Sequence, residues 1–188
     1  QSKRYGSFAI FKIQTRFSYQ NRVFLFLYRY IISNSLFLTN FNIKMNSLYT
    51  LTDTHTHIYY HMGTAQLEEH IQRCLTNNIN RLFLPNVDSA SVKAVLDTTA
   101  AYPNMCYPML GLHPCSVKEN YKEELANIEK AIATHKIYAI GEIGIDLYWD
   151  KSTLPWQQEA FKTQIGWAKE LGLPIDIHCR AAFDETFD

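Results

Sequence analysis

His55 and His57 stand one residue apart in Asp53-Thr54-His55-Thr56-His57. Side chains alternate along an extended segment, so two imidazoles at this spacing share one face. At the end of a short strand they could offer two neutral nitrogens to one divalent metal. Most histidine pairs at this spacing are incidental, so the pair needs partners elsewhere in the chain. Three candidates follow: His113 in Gly111-Leu112-His113-Pro114, Glu142 in Gly141-Glu142-Ile143-Gly144, and His178 after Pro174-Ile175-Asp176-Ile177. Singly, each has an ordinary reading. Glu142 between glycines could be an exposed turn residue, His113 could bond a loop backbone, and His178 could be a satisfied strand end. Brought to one place, they make a metal site.

The apolar pattern shows what could bring them together. An uncharged run at 47–50 leads through Leu51 and Thr52 into the histidine pair and reads as a short buried strand. Residues 64–77 have helical spacing through Leu67, Ile71 and Leu75, with Thr64 as a cap. A compact strand follows at 81–85, then a helix capped by Asp88 or Ser89 and carrying Val92, Val95 and Leu96. Residues 105–110 form a third strand leading to His113, and 121–135 a helix with Leu125, Ile128 and Ile132 on one face. A fourth strand at 137–140 precedes Glu142 and Asp146. Pro155 opens a long helix at 155–171, Gly172 stops it, and a fifth strand at 174–177 ends in His178.

Strands and helices alternating at intervals of roughly 25–35 residues predict βαβ units and a parallel sheet. No glycine fingerprint for a dinucleotide or a nucleotide phosphate follows the first strand. The chemistry-bearing residues fall instead at the C-terminal ends of several strands, the distribution of a TIM barrel. The predicted fold class is therefore α/β, a TIM barrel with about five of its eight βα units.

Four motifs carry a resemblance. Asp-Thr-His-Thr-His (53–57), Gly-Leu-His-Pro (111–114), Ala-Ile-Gly-Glu-Ile-Gly-Ile-Asp (139–146) and Leu-Pro-Ile-Asp-Ile-His-Cys-Arg (173–180) resemble, in order, the motifs of the TatD family. That family belongs to the metal-dependent amidohydrolase-like barrels and is known for DNase activity. The resemblance implies a hydrolase that cleaves nucleic-acid phosphodiester bonds, DNA above all, by a metal-activated water. It implies two divalent metal ions (Mg2+, Mn2+ or Zn2+), with His55, His57, Glu142 and His178 as ligands and Glu142 bridging at the catalytic centre. A carboxylate can span two cations, whereas one imidazole nitrogen cannot. Two cations can orient a water, lower its pKa and neutralise charge on a phosphodiester oxygen. His113 and Asp146 read as supports of the site or as phosphate contacts. Arg180 reads as a phosphate contact, with a salt bridge on the barrel rim as its competing role. Tyr148 and Trp149 could stack on a base or simply pack their own loop. Asp53 reads as a structural support. Hydrolysis of another ester or amide is the alternative activity, and an inactive remnant the non-enzymatic reading.

The family pattern continues with a His-containing motif after a sixth strand and a catalytic Asp after the eighth, and neither is found before Asp188. The expectation is a fragment of a longer product that carries the first part of a site. Residues 1–44 hold seven Lys/Arg and no acid, with neither helical nor alternating periodicity. Their apolar stretch at 23–38 is interrupted by Arg29 and is short for a membrane span. The expected organisation is a non-homologous stretch at 1–44, translated upstream of a start at Met45, then the N-terminal portion of the barrel at 45–188. A signal or anchor, and a genuine extra element, are the other readings of 1–44.

The 45–188 body holds 11 basic and 18 acidic residues, a formal net charge of −7. That is a poor match for tight non-specific nucleic-acid binding, but no bar to a phosphate substrate bridged by cations. Cys74, Cys106, Cys115 and Cys179 are scattered without a CxxC pair and read as reduced thiols of a cytoplasmic protein. No membrane association and no obligate protein partner is expected.

Overall fold

A computed structural model describes residues 49–187. The 1–44 stretch and Met45, with the readings placed on them, lie outside the described residues. Five strands, Leu51–Asp53 (β1), Ile79–Pro85 (β2), Cys106–Leu110 (β3), Ala139–Asp146 (β4) and Ile175–Arg180 (β5), pair in chain order. Every pairing is parallel. Helices Ala65–Thr76 (α1), Val92–Ala101 (α2), Tyr121–Thr134 (α3) and Leu154–Leu171 (α4) make the crossovers, and Phe183–Phe187 (α5) follows β5. Parallel neighbours require such crossovers, because the chain must return to the same end of the sheet before each new strand. The architecture is the predicted α/β one: a curled, five-stranded portion of a TIM barrel, with all C-terminal strand ends on one rim.

The core lies between the helices and the sheet. Leu67 and Ile71 of α1, Val92 and Val95 of α2, Leu125 and Ile128 of α3, and Phe161 and Trp167 of α4 are buried against it. Each such side chain contributes roughly 1.5–3 kcal/mol by leaving water. The apolar face of α1 is shorter than its spacing predicts, for Leu75 in the last turn is 44% exposed. Gly172 ends α4 in the left-handed region at φ 65°, where a side chain would be strained. Thr64 precedes α1 as expected, but its hydroxyl donates to the His61 carbonyl at 2.7 Å instead of capping the helix. Before α2 the capping position falls to Ser91, whose N–H donates to Asp88 Oδ1 at 2.8 Å.

Two strands run further than the sequence suggests. β4 continues through Glu142 to Asp146 with all eight residues buried, and β5 continues through His178 to Arg180. The glycines on either side of Glu142 are positions where the two strands touch, so Glu142 is not the exposed turn residue of its ordinary reading. A Cβ on Gly141 would lie 2.5 Å from the Cβ of Asp176, and one on Gly144, at φ +142°, would strike the His178 carbonyl. Glu142 and His178 are therefore held inside strands rather than on loops. β1 is not the buried strand expected: Leu51 and Thr52 are exposed, and among the described residues β1 pairs with β2 alone. No helix among the described residues is long and apolar enough to cross a membrane.

Candidate metal centre

The backbone turns sharply after β1, with the His55 N–H donating to Asp53 Oδ1 at 3.1 Å. That is the structural part expected of Asp53. It leaves His55 and His57 on one side, their Nε2 atoms 3.1 Å apart. Glu142 rises between them and the other histidines. Its Oε2 lies 3.3 Å from His55 Nε2 and 3.8 Å from His57 Nε2. Its Oε1 lies 3.0 Å from His178 Nδ1 and 3.6 Å from His113 Nε2. The four histidines and the glutamate singled out in the sequence thus meet around one carboxylate, which is buried while the imidazoles remain partly open.

What lies behind each ring decides what its front can do. His55 Nδ1 donates to Asp176 Oδ2 at 2.8 Å. His57 Nδ1 is 3.1 Å from the Pro85 carbonyl, which can only accept, and 3.0 Å from the Tyr59 hydroxyl. With both Nδ1 atoms carrying hydrogen, the neutral rings turn two lone pairs toward each other across 3.1 Å. That contact is repulsive unless a proton or a cation stands in it. His178 is held the other way round, its Nε2 donating to Asp146 Oδ2 at 2.8 Å and its Nδ1 facing Glu142. His113 differs from all three. Its Nδ1 accepts from the Cys115 N–H at 3.0 Å, so the neutral ring carries hydrogen on Nε2 and is a donor there.

The electrostatics follow from these contacts. Burial works against a charge on His55, but Asp176 and then Glu142 outweigh it and push its pKa up to about 10. Burial, and next the charge on His55, hold His57 below its ordinary value. His178 is opposed by burial too, yet Glu142 and Asp146 raise it. Burial alone would raise Glu142, but hydrogen bonds from His113, His178 and His55 hold its carboxyl well below the usual range. Without a metal, protons on the histidines balance the buried carboxylate; a divalent cation can take that role.

The strand ends are held by side-chain amides that are not among the candidates read from the sequence. On α4, Gln157 Oε1 accepts from the Asp146 N–H at 2.8 Å, while its Nε2 donates to the Asp146 carbonyl at 3.0 Å. Two turns further along the same face, Gln164 holds Leu112 in the same fashion, at 2.6 and 3.3 Å. Asn86 Oδ1 accepts from the Gly111 N–H at 2.7 Å. All three are buried, and each of their side-chain oxygens and nitrogens has a hydrogen-bond partner, so they fix the backbone that carries His113 and Asp146. Asp176 is the other residue that spacing left unmarked, although it sits two positions before His178. Arg180 makes no salt bridge among the described residues. Its guanidinium lies 3.9 Å over the Tyr148 ring and 5.4 Å from that of Trp149, on the rim beside the cluster. Among the described residues, two donor groups stand close enough to surround an ion: His55 with His57 and Glu142, and His113 with Cys115 and His178.

The model of the TatD related DNase family matches residues 52–188. The chain belongs to that family. Among its relatives is an uncharacterised metal-dependent hydrolase of Bacillus subtilis, YabD, 36% identical over 136 residues. That alignment covers 72% of this chain and 53% of the relative. A protein of Yersinia pseudotuberculosis named 3'-5' ssDNA/RNA exonuclease TatD is 30% identical over 118 residues, covering 63% of this chain and 45% of its own. The crystal structure of the Escherichia coli TatD homologue YjjV superposes with a TM-score of 0.66 at 28% identity, over 72% of this chain and 53% of that one. A TatD family hydrolase of Entamoeba histolytica, at 21% identity and a TM-score of 0.56, shows the same fold. The chain spans about half the length of the curated relatives it matches. Within this TatD chain the donor set fits a metal, as the relatives named metal-dependent hydrolases imply. His55, His57 and His178 offer nitrogens with their lone pairs freed by acceptors behind them, around a buried carboxylate whose two oxygens face opposite pairs of rings.

Proposed function

We propose that this TatD chain contributes the first part of a divalent-metal-dependent hydrolase of nucleic-acid phosphodiester bonds. The observation that carries the reading is the division of Glu142. One of its oxygens faces His55 and His57, the other His178 and His113. His55, His57, Glu142 and His178 would hold two divalent ions, Mg2+, Mn2+ or Zn2+. When bound, such ions supply positive charge opposite a phosphodiester oxygen and acidify a water. The chain's own groups do the positioning. Asp176, Asp146 and the Pro85 carbonyl fix which nitrogen each ligand presents. His113, with its hydrogen on Nε2, donates a hydrogen bond to a phosphate oxygen. Arg180, stacked on Tyr148, brings a second cation to the rim for the neighbouring phosphate.

Nucleic acid as the substrate draws support from relatives named ssDNA/RNA exonucleases. Four free cysteines fit a cytoplasmic setting. Relatives named only as metal-dependent hydrolases favour a second reading, another ester or amide at the same centre. The test pairs calorimetric titration with Mn2+ and release of nucleotides from single-stranded DNA. Binding of Mn2+ that is lost in His55→Ala, together with Mn2+-dependent nucleotide release, is the expected result. Binding of Mn2+ with no release of nucleotides, but with cleavage of a simple carboxylic ester, would move the assignment to the second reading.

A further inference from the structure

The cluster around Glu142 is flanked at both ends by open cavities that the assignment above leaves unused. At the end formed by His57, a cavity of about 480 Å3 is lined by Tyr60, Met62, Val87, Asp88 and Ser91. Tyr60 is 63% exposed, and its ring centroid is 5.9 Å from that of His57. At the end formed by His178, a cavity of about 290 Å3 is lined by Pro114, Lys118, Asp146, Trp149 and Thr153. Asp146 in its wall is the residue bonded to His178. Trp149 is 73% exposed and turns edge-on to Tyr148, whose ring is already covered by Arg180. Each cavity therefore offers one exposed aromatic ring beside one side of the donor cluster.

We propose that the two cavities are base subsites. The strand then lies across the cluster with the base on one side of the reacting phosphate against Tyr60 and the base on the other side against Trp149. The inference rests on the metal-centre reading and extends it from a bond type to a substrate with a nucleoside on each arm. A phosphodiester has two arms, and a site built for a monoester or a small amide would need a cavity on one side only. Bases inside a duplex are already stacked and paired, so rings waiting beside the phosphate select a single strand. Charge points the same way. The 45–188 body is formally −7, and carboxylates Asp88 and Asp146 stand in the cavity walls, so backbone charge supplies little of the affinity. Stacking must then carry more of it, with Arg180 and Lys118 as the local cations beside Trp149.

The test measures binding of a fluorescein-labelled oligothymidylate, and of an abasic strand of equal length, by anisotropy in chelator so that no turnover occurs. Trp149→Ala and Tyr60→Ala each weaken oligothymidylate binding roughly ten-fold, the loss of one stacked base, and leave the abasic strand unaffected. Mn2+ titrations match the parent in both variants, and both rings are exposed, so the fold is untouched. Equal loss on the abasic strand, no loss in either variant, or no binding of oligothymidylate by the parent overturns the subsites. Failure of the parent to bind Mn2+ is a separate result and overturns the metal centre instead.

Discussion

Around one oxygen of Glu142 stand His55 and His57, each with Nδ1 committed to an acceptor behind it; around the other stand His178, committed at Nε2, and His113, committed the opposite way. Distances alone do not separate these ends, since all four rings come within 3.8 Å of the carboxylate. The difference lies one bond further out. An acidic or carbonyl oxygen behind a ring places hydrogen there and frees the front nitrogen to bind a cation. A backbone N–H behind a ring does the reverse and makes the front nitrogen a donor. On the proposed metal-centre reading, the first end is thus a pair of ligands, and the second a ligand with a donor at its side.

The comparison breaks first at Glu142. Glu142→Gln keeps the shape and removes the charge shared by both ends. It should abolish Mn2+ binding at both and lower nucleotide release by at least about a thousand-fold. Retention of one ion at parental affinity in a calorimetric titration would show that the ends do not share this carboxylate. Next come the two residues of the second end. His178→Ala should remove one ion, whereas His113→Ala should leave Mn2+ affinity unchanged and lower turnover roughly a hundred-fold through the lost donor. If His113→Ala loses metal as His178→Ala does, the donor assignment is wrong.

How far this could be read from residue types varies along the chain. Leu125 and Ile128 announce α3 and its buried face, and the alternation of such helices with short apolar runs yields the parallel sheet. The convergence of His55, His57, His113, Glu142 and His178 follows from that topology, because parallel strands end on one rim. Asp176 was hidden for a different reason. Its partner His55 is 121 residues away and follows β1, a strand that does not pair with β5, so only the curl of the sheet brings them together. Gly141 and Gly144 mislead because close approach is a property of two strands, while a sequence shows one. Gln157 and Gln164 did leave a trace: two amides seven apart on the buried face of α4 demand buried partners, and the strand-end peptides are those partners. His113 could be placed but not given its role, which hangs on the Cys115 N–H.

The carboxylates behind the ligands sharpen the comparison at a smaller scale. Asp176 supports the first end and Asp146 the second, each at 2.8 Å from its imidazole. Asp176→Asn and Asp146→Asn preserve size and an acceptor oxygen but remove the charge that strengthens the ligand. Each should weaken Mn2+ by roughly 10–100-fold, Asp176→Asn at the ion held by His55 and Asp146→Asn at the ion held by His178. Two-site calorimetric fits resolve the order of loss. Equal weakening of both ions by either variant would mean that the ends act as one unit.

The smallest effect concerns protons, and it divides His55 from its neighbour His57. In metal-free protein the pKa of His55 is raised from 6.5 to about 10, with Asp176 and Glu142 overcoming burial. A raised pKa stabilises the fold fully below 6.5, and that contribution is lost as pH climbs through the window to about 10. His57 is held below its ordinary value and stays neutral there. Melting temperatures in excess chelator should therefore fall between pH 7 and 9.5, and His55→Ala should flatten that slope while His57→Ala keeps it. Metal binding must expel the same proton, so Mn2+ affinity should rise across the same window in the parent. A parent whose melting temperature in chelator is level from pH 7 to 9.5 would show that His55 carries no such proton. The lone-pair clash between His55 and His57 would then be relieved by movement of the rings.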